Sequence, residues 1–296
     1  LSAGLDSASL VALASEAHGA NLRTVTLGFQ QFRDSENDEA PLAEVLAKHY
    51  ETDHETRWIE TSDFHDNSDH LMAAMDQPSI DGANTYFVSK ATREAGLKVA
   101  LSGVGGDELF AGYKNFKQVP SLARALGLFR FLPGLGKAFR IISAPLVRKL
   151  TSPKYAGLFE YGSRLGDAYL LRRGLYMPWE LPEVLDPDLV REGLATLAIT
   201  GQLSETIGDI GQARVSMTAL ESAWYMRNQL LRDADWASMA HSLEIRTPLV
   251  DITLLRALAP MIAGSRPPTK NDMATSLAKP LPPEILHRPK TGFSIP

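Results

Sequence analysis

Between residues 22 and 101 short extended runs alternate with longer helical ones, and this alternation limits the chain to folds in which helices cover a parallel sheet. Residues 22–29 (LRTVTLGF), 56–59 and 98–101 (KVAL) are short and rich in β-branched or apolar side chains. Helical patterns fill 8–18, 38–50, 63–75 and 86–95, with Gly19 and Gly96 as left-handed caps. The expected fold class is therefore α/β, a parallel sheet with helices on both faces. After Tyr113 the pattern becomes helical with Gly and Pro breaks, and a long amphipathic segment covers 214–232, so the second half is expected to be mainly α-helical.

In sheets of this kind ligands gather at the carboxyl ends of the strands, so the loops at residues 2–7, after Gly28 and at 102–108 are expected to converge. Two of these loops carry chemistry. Ser2-Ala3-Gly4-Leu5-Asp6-Ser7 puts small residues, hydroxyls and a carboxylate on a turn that opens a helix, which is the make-up of an anion cradle. A carboxylate repels a phosphate unless a cation lies between them, so Asp6 fits a magnesium ligand better than a direct phosphate contact. The plainer reading of this turn alone is a helix cap. Ser102-Gly103-Val104-Gly105-Gly106-Asp107-Glu108 leaves a buried strand, is dense in glycine where backbone must come close to something, and ends in paired carboxylates. Together the loops make a site in which Asp6 and Asp107 share one Mg2+ on a polyphosphate. The sequence holds no G-x-x-x-x-G-K-[ST], and no G-x-G-x-x-G is completed, so P-loop phosphoryl transfer and Rossmann dinucleotide binding lose their support.

Composition narrows the class further. The 296 residues include no cysteine, which removes disulfides, thiolate metal sites and a cysteine nucleophile. The net charge of −5 gives no reason for the molecule as a whole to attract nucleic acid, and none is expected as a partner. No apolar run approaches the roughly 20 residues that span a bilayer, and a cytoplasmic location is expected. Between Leu109 and Phe159, however, stand nine Lys or Arg residues and no Asp or Glu, interleaved with Leu, Phe and Ile. The rest of the chain then holds twenty-one basic side chains against all 35 acidic ones. The basic segment 114–154 has the make-up of amphipathic helices that could meet a membrane, an anionic glycan or an acidic partner, although a solvated face on an acidic protein is the plainer reading. The run His65-Asp66-Asn67-Ser68-Asp69-His70 contains metal-ligating types, but it sits at a helix start where Asp is expected as a cap.

Four segments carry a more specific signal. LSAGLDSASLVALA resembles the SGGLDSS pyrophosphate loop of the asparagine synthetase family, and LSGVGGDELFAGY resembles that family's SGEGxDExFGGY segment. LLRDADWASMAHSLEIRTPLVD and LPPEILHRPKTGFSIP resemble its two later signatures, in family order. The resemblance spans the chain and implies the synthetase domain, with an adenine nucleotide α-hydrolase-like sheet that here lacks its first strand. It implies an ATP-dependent ligase that adenylates the side-chain carboxylate of aspartate, releases pyrophosphate and lets ammonia displace AMP. By position, Ser2, Gly4, Asp6 and Ser7 bind pyrophosphate, Leu27 with Ser102 and Gly103 line the adenosine pocket, and Asp107 joins Asp6 on Mg2+. Lys290 matches the family's lysine near the α-phosphate, where a fixed cation favours the charge that builds as the carboxylate attacks. The parts are expected to be a nucleotide-binding core over 1–113, a helical basic segment over 114–212, and a helical part with the catalytic lysine over 213–296. Family members carry an N-terminal glutaminase domain that supplies ammonia from glutamine, expected to be absent from this chain, and a homodimer is compatible with the pattern.

Two positions depart from the family. Ala3 stands where glycine is usual, which is tolerable only if its φ is negative. Val104 replaces a glutamate near the reacting centre, and valine can neither move a proton nor hold ammonium. Glu108, Asp233 and Asp235 are the nearest acids to take over that function. Val104 and the basic segment motivate one alternative, an amidotransferase of the same mechanism acting on another carboxylate, in polysaccharide or secondary metabolism. A nucleotide-binding regulatory module without catalysis is the other; keeping Asp6, Asp107 and Lys290 together speaks against it.

Overall fold

The computed structural model describes residues 1–19, 22–79 and 81–288. The chain forms two compact units, one from Leu1–Gly112 with Met226–Pro296 and one from Tyr113–Tyr225.

In chain order the first unit begins with α1 (Leu5–His18), β1 (Arg23–Phe29), α2 (Ala40–His49), β2 (Asp53–Ile59), α3 (Thr61–Ala74), α4 (Gly82–Glu94), β3 (Val99–Leu101) and α5 (Gly106–Phe110). Helix α1 opens from Gly4, keeps Asp6 in its first turn where the helix dipole favours an acid, and ends at Gly19 with φ +69°. Helix α3 starts with a capping box between Glu60 and Asp63. The second unit holds α6 (Asn115–Ala125), α7 (Pro133–Leu150), α8 (Leu158–Tyr161), α9 (Leu165–Arg173), α10 (Pro187–Leu197), α11 (Ile199–Ile207) and α12 (Ala213–Leu220). A wider π-helical stretch, Glu221–Leu230, leads into α13 (Leu231–Met239), β4 (Glu244–Arg246), α14 (Ile252–Ile262), α15 (Lys270–Thr275) and α16 (Pro283–Leu286) of the first unit.

Strands β1 and β2 pair in parallel from Arg23 opposite Asp53 to Phe29 opposite Ile59. Strands β3 and β4 pair in parallel from Val99 opposite Glu244 to Leu101 opposite Arg246. The parallel α/β character expected from the alternation is present, and the chain is mostly helical. Among the described residues the strands form two separate two-stranded pairs rather than one large hydrogen-bonded sheet. The chain at Leu1 runs beside β1: the Thr26 hydroxyl donates to the Leu1 carbonyl at 2.8 Å, and the Leu1 nitrogen donates to the Val25 carbonyl.

Two cores support the first unit. Leu27, Phe29 and Ile59 pack with Leu71, Tyr86, Phe87 and Trp236. Ala3, Ala8, Val11 and Ala12 pack with Leu46, Tyr50, Leu277, Leu281 and Ile285, which ties the Ser2 turn to the last helices of the chain. The second unit has its own core around Val119, Tyr169, Leu203, Met217 and Leu220. Beside that core the fully buried Glu221 takes an ion pair from Arg173 at 2.8 Å, and the Tyr169 hydroxyl donates to it at 3.3 Å. A buried charge of this kind is tolerable only when paired and hydrogen-bonded. Among the described residues no helix is long and apolar enough to cross a membrane.

Candidate functional site

The site is assembled where α1 begins, where β3 ends, and where α15 begins. Asp6 projects from the first turn of α1, and Asp107 from α5 just after the glycine-rich loop. Lys270 is the first residue of α15, set by a capping box in which the Asp272 carboxylate accepts the Thr269 N–H at 2.8 Å and the Thr269 hydroxyl accepts the Asp272 N–H at 3.3 Å. Its ammonium lies 2.5 Å from Asp6 Oδ2 and 2.5 Å from Asp107 Oδ1, with all three side chains largely buried. Burial works to lower the Lys270 pKa, but the Asp107 and Asp6 carboxylates outweigh it and hold the group above its ordinary value. The two carboxylates thus converge on one cation position.

The glycines of the loop allow this convergence. A Cβ on Gly103 would stand 2.8 Å from Asp6 Cβ, one on Gly106 would stand 2.4 Å from Asp6 Oδ1, and one on Gly112 would stand 1.8 Å from Asp107 Oδ1. Gly105 has φ +102°, a left-handed conformation that lets the loop turn into α5. Of the three loops expected to meet from strand topology, those at 2–7 and 102–108 do meet, in contact at Gly103 and Gly106.

Around them, the Ser2 N–H donates to Ser7 Oγ at 3.1 Å, and the Gly4 N–H donates to Ser2 Oγ at 3.3 Å, so the turn is closed by its own hydroxyls. Ser102 continues the β3–β4 ladder by donating to the Arg246 carbonyl at 2.8 Å, and its Oγ accepts the Val104 N–H at 3.4 Å. Ser2, Gly4, Asp6, Ser7, Ser102, Gly103 and Asp107 are thus gathered in one region. The Leu27 side chain is different: it is buried in the core with Phe29 and Tyr86, which leaves its backbone as the part that can face a ligand. Lys290 lies outside the described residues. Ala3 is not among the residues with left-handed backbone, and it is buried in the core that also holds Ala274 and Ile285, which removes the steric objection to alanine there.

Of the acids near Val104, Glu108 is fully buried on α5. Asp233 is buried and accepts from Ser79 Oγ at 2.6 Å and Trp236 Nε1 at 3.0 Å. Burial raises its pKa, against the pull of those two hydrogen bonds. Asp235 is exposed within α13. In the 65–70 run, His70 Nδ1 is engaged with the Tyr86 hydroxyl at 2.6 Å. No group of three or more His, Cys, Asp or Glu suited to a metal occurs among the described residues.

Lys270 is the residue that sequence reasoning missed. Its local signal was the Thr269-x-x-Asp272 capping box, which marks a helix start but says nothing about what the helix reaches.

The structure is an α/β unit with a two-carboxylate site held by glycine-rich backbone, and comparison with known sequences gives its family. The profile of the family described as asparagine synthase matches residues 1–296, and the chain belongs to that family. It is 30% identical over 303 residues to a putative asparagine synthetase [glutamine-hydrolyzing] of Mycobacterium bovis, covering 100% of this chain and 44% of that protein. It is 28% identical over 308 residues to asparagine synthetase [glutamine-hydrolyzing] 1 of Bacillus subtilis, covering 100% of this chain and 46% of that protein. A putative asparagine synthetase [glutamine-hydrolyzing] 2 of Methanocaldococcus jannaschii is 31% identical over 139 residues, 43% of this chain and 26% of that protein. The chain spans less than half the length of the first two relatives.

Proposed function

We propose that this chain is the synthetase part of an ATP-dependent, AMP-forming amide ligase, with the aspartate side chain as its leading acceptor and ammonia drawn from glutamine by a glutaminase domain. The observation that carries this reading is the convergence of Asp6 and Asp107 on one cation position, at the contact between the Ser2–Ser7 turn and the glycine loop. Two carboxylate oxygens, completed by phosphate oxygens and water, suit Mg2+, which binds through one or two carboxylates plus a polyphosphate. The metal, when bound, would neutralise charge on the polyphosphate and favour departure of pyrophosphate.

The chain's own residues have separate tasks in this reading. Ser2, Gly4 and Ser7 hold pyrophosphate at the positive end of α1. The Leu27 backbone, Ser102 and Gly103 line the adenosine pocket. Without the metal, Lys270 balances the charge of the two carboxylates, and Lys290 stabilises charge on the α-phosphate oxygens. A carboxylate oxygen attacks the α-phosphorus as the bond to pyrophosphate breaks. Ammonia then attacks the activated carbonyl, AMP leaves, and the nitrogen gives up a proton. We read the two parallel strand pairs as parts of one adenine nucleotide α-hydrolase-like sheet with the chain at Leu1 between them, supported by the bonds of Leu1 to β1 and by Gly103 lying against Asp6. The ATP requirement fits a cytoplasmic location.

Val104 favours a second reading, the same mechanism on a different carboxylate. Nucleotide product analysis with ATP, Mg2+, ammonia and a panel of carboxylates tests both. The leading reading expects AMP and pyrophosphate that depend on aspartate, with asparagine formed. AMP with another carboxylate alone establishes the second reading, and ADP or no turnover with any acceptor overturns both.

A further inference from the structure

Helix α7 turns a charged side chain inward and an apolar stripe outward. Its charged Arg140 faces inward, 2.6 Å from Glu160 and over the Trp179 ring at 4.6 Å, while Gly136 brings the helix backbone against that of Glu160. Phe139 packs against Phe159, at 4.6 Å between ring centroids, but another apolar stripe faces outward. Leu135, Ile142, Leu146 and Leu150 are spaced seven, four and four apart, which is one helical stripe, and every one is more than half exposed, Ile142 at 79%. The 3-10 turn before the helix adds Leu128 and Phe131, at 79% and 68%. A contiguous exposed apolar face of this kind marks a docking surface rather than scattered surface hydrophobes.

Charge identifies the occupant. The face lies inside the stretch with nine basic and no acidic residues, in a protein that is acidic elsewhere. Lys137 and Lys149 are exposed on α7 and have no ion pair among the described residues. The covering surface must therefore be apolar in depth and anionic at its border, which describes an anionic bilayer interface. A second copy fits poorly, because a two-fold contact through this face would set the same basic flank against itself. An anionic glycan alone would leave the apolar stripe uncovered. We propose that α7 and the preceding turn lie in the interface of an anionic lipid bilayer, with the Leu135–Leu150 stripe buried and the lysines at the headgroups.

Co-flotation of the protein with vesicles tests this, using phosphatidylcholine alone and phosphatidylcholine mixed with phosphatidylglycerol. The protein is expected to float with the mixed vesicles and to be released by salt. Ile142→Glu combined with Leu146→Glu should lower partitioning by more than about tenfold, and Lys137→Glu with Lys149→Glu by about fivefold or more per residue. All these side chains point away from the protein, so thermal melts should match the parent, which keeps loss of binding apart from loss of fold. No flotation with anionic vesicles, or flotation unchanged in the Ile142/Leu146 variant, overturns the proposal. So does a dimer in sedimentation that this variant dissociates, without vesicle binding, since the face then serves a second copy.

Discussion

Lys270 stands at the centre of the site because two buried carboxylates need a cation between them, and in this structure its ammonium supplies it. Removing it takes a cation from between Asp6 and Asp107. Lys270→Met is expected to lower stability by about 3 kcal/mol, and Mg2+ alone should raise the melting temperature of the variant more than that of the parent. A melt series with and without Mg2+ reads both effects. The pH dependence has a definite sign: the folded-state pKa of Lys270 is raised, so its contribution is complete below the ordinary lysine value of 10.5 and is lost only as pH rises through the still higher folded value. The stability gap between variant and parent should therefore not narrow as pH rises from about 7 to about 9. Ala111 offers a second test. It ends α5 with φ 53° and ψ 46°, a left-handed conformation that costs an alanine about 1 kcal/mol. Ala111→Gly should raise stability by roughly 0.5 kcal/mol after the entropy of the unfolded glycine is counted, measurable by chemical denaturation.

At the scale of elements, the five-residue α5 is closely confined, with Gly106 against Asp6 of α1 and Gly112, two residues past its end, against Asp107 and Lys270. A methyl on Gly112 would stand 2.4 Å from Lys270 Cε as well as meeting Asp107. Gly112→Ala is expected to weaken Mg2+–ATP binding at least about tenfold, with a stability loss of about 1–3 kcal/mol; calorimetric titration and a thermal melt separate the two. Several elements were legible beforehand. The helices at 8–18 and 63–75 and the strand at 98–101 appear as α1, α3 and β3 within a few residues, because caps and apolar periodicity act over one or two turns. Strand β4 was not foreseen. Glu244–Arg246 is three residues long and carries alternating charge, and it extends only because β3 offers it a ladder. The π-helical turn from Glu221 was equally hidden, since the 214–232 pattern reads as one continuous amphipathic helix.

At the scale of the molecule, the second unit is a single continuous stretch, Tyr113–Tyr225. Its first and last residues meet, with the Tyr113 and Tyr225 rings 5.8 Å apart and the Arg173 guanidinium over both. Adjacent termini and a separate core are the properties of an inserted domain that can fold alone. A fragment of residues 113–225 is expected to be helical by circular dichroism and to melt cooperatively; a non-cooperative melt would show that it depends on the rest of the chain. The sequence by itself determined the alternation of strand and helix, the two glycine-bearing loops, the helix caps and the acid-free basic segment, because each is written in residues a few positions apart. Only the tertiary structure decided that Lys270, 264 residues from Asp6, lies between Asp6 and Asp107. The same holds for the pairing of β4 with β3 and for the outward turn of the apolar side of α7. Local preferences act within a few residues, whereas contacts between distant segments follow from how whole elements pack, and no short stretch of sequence carries that sum.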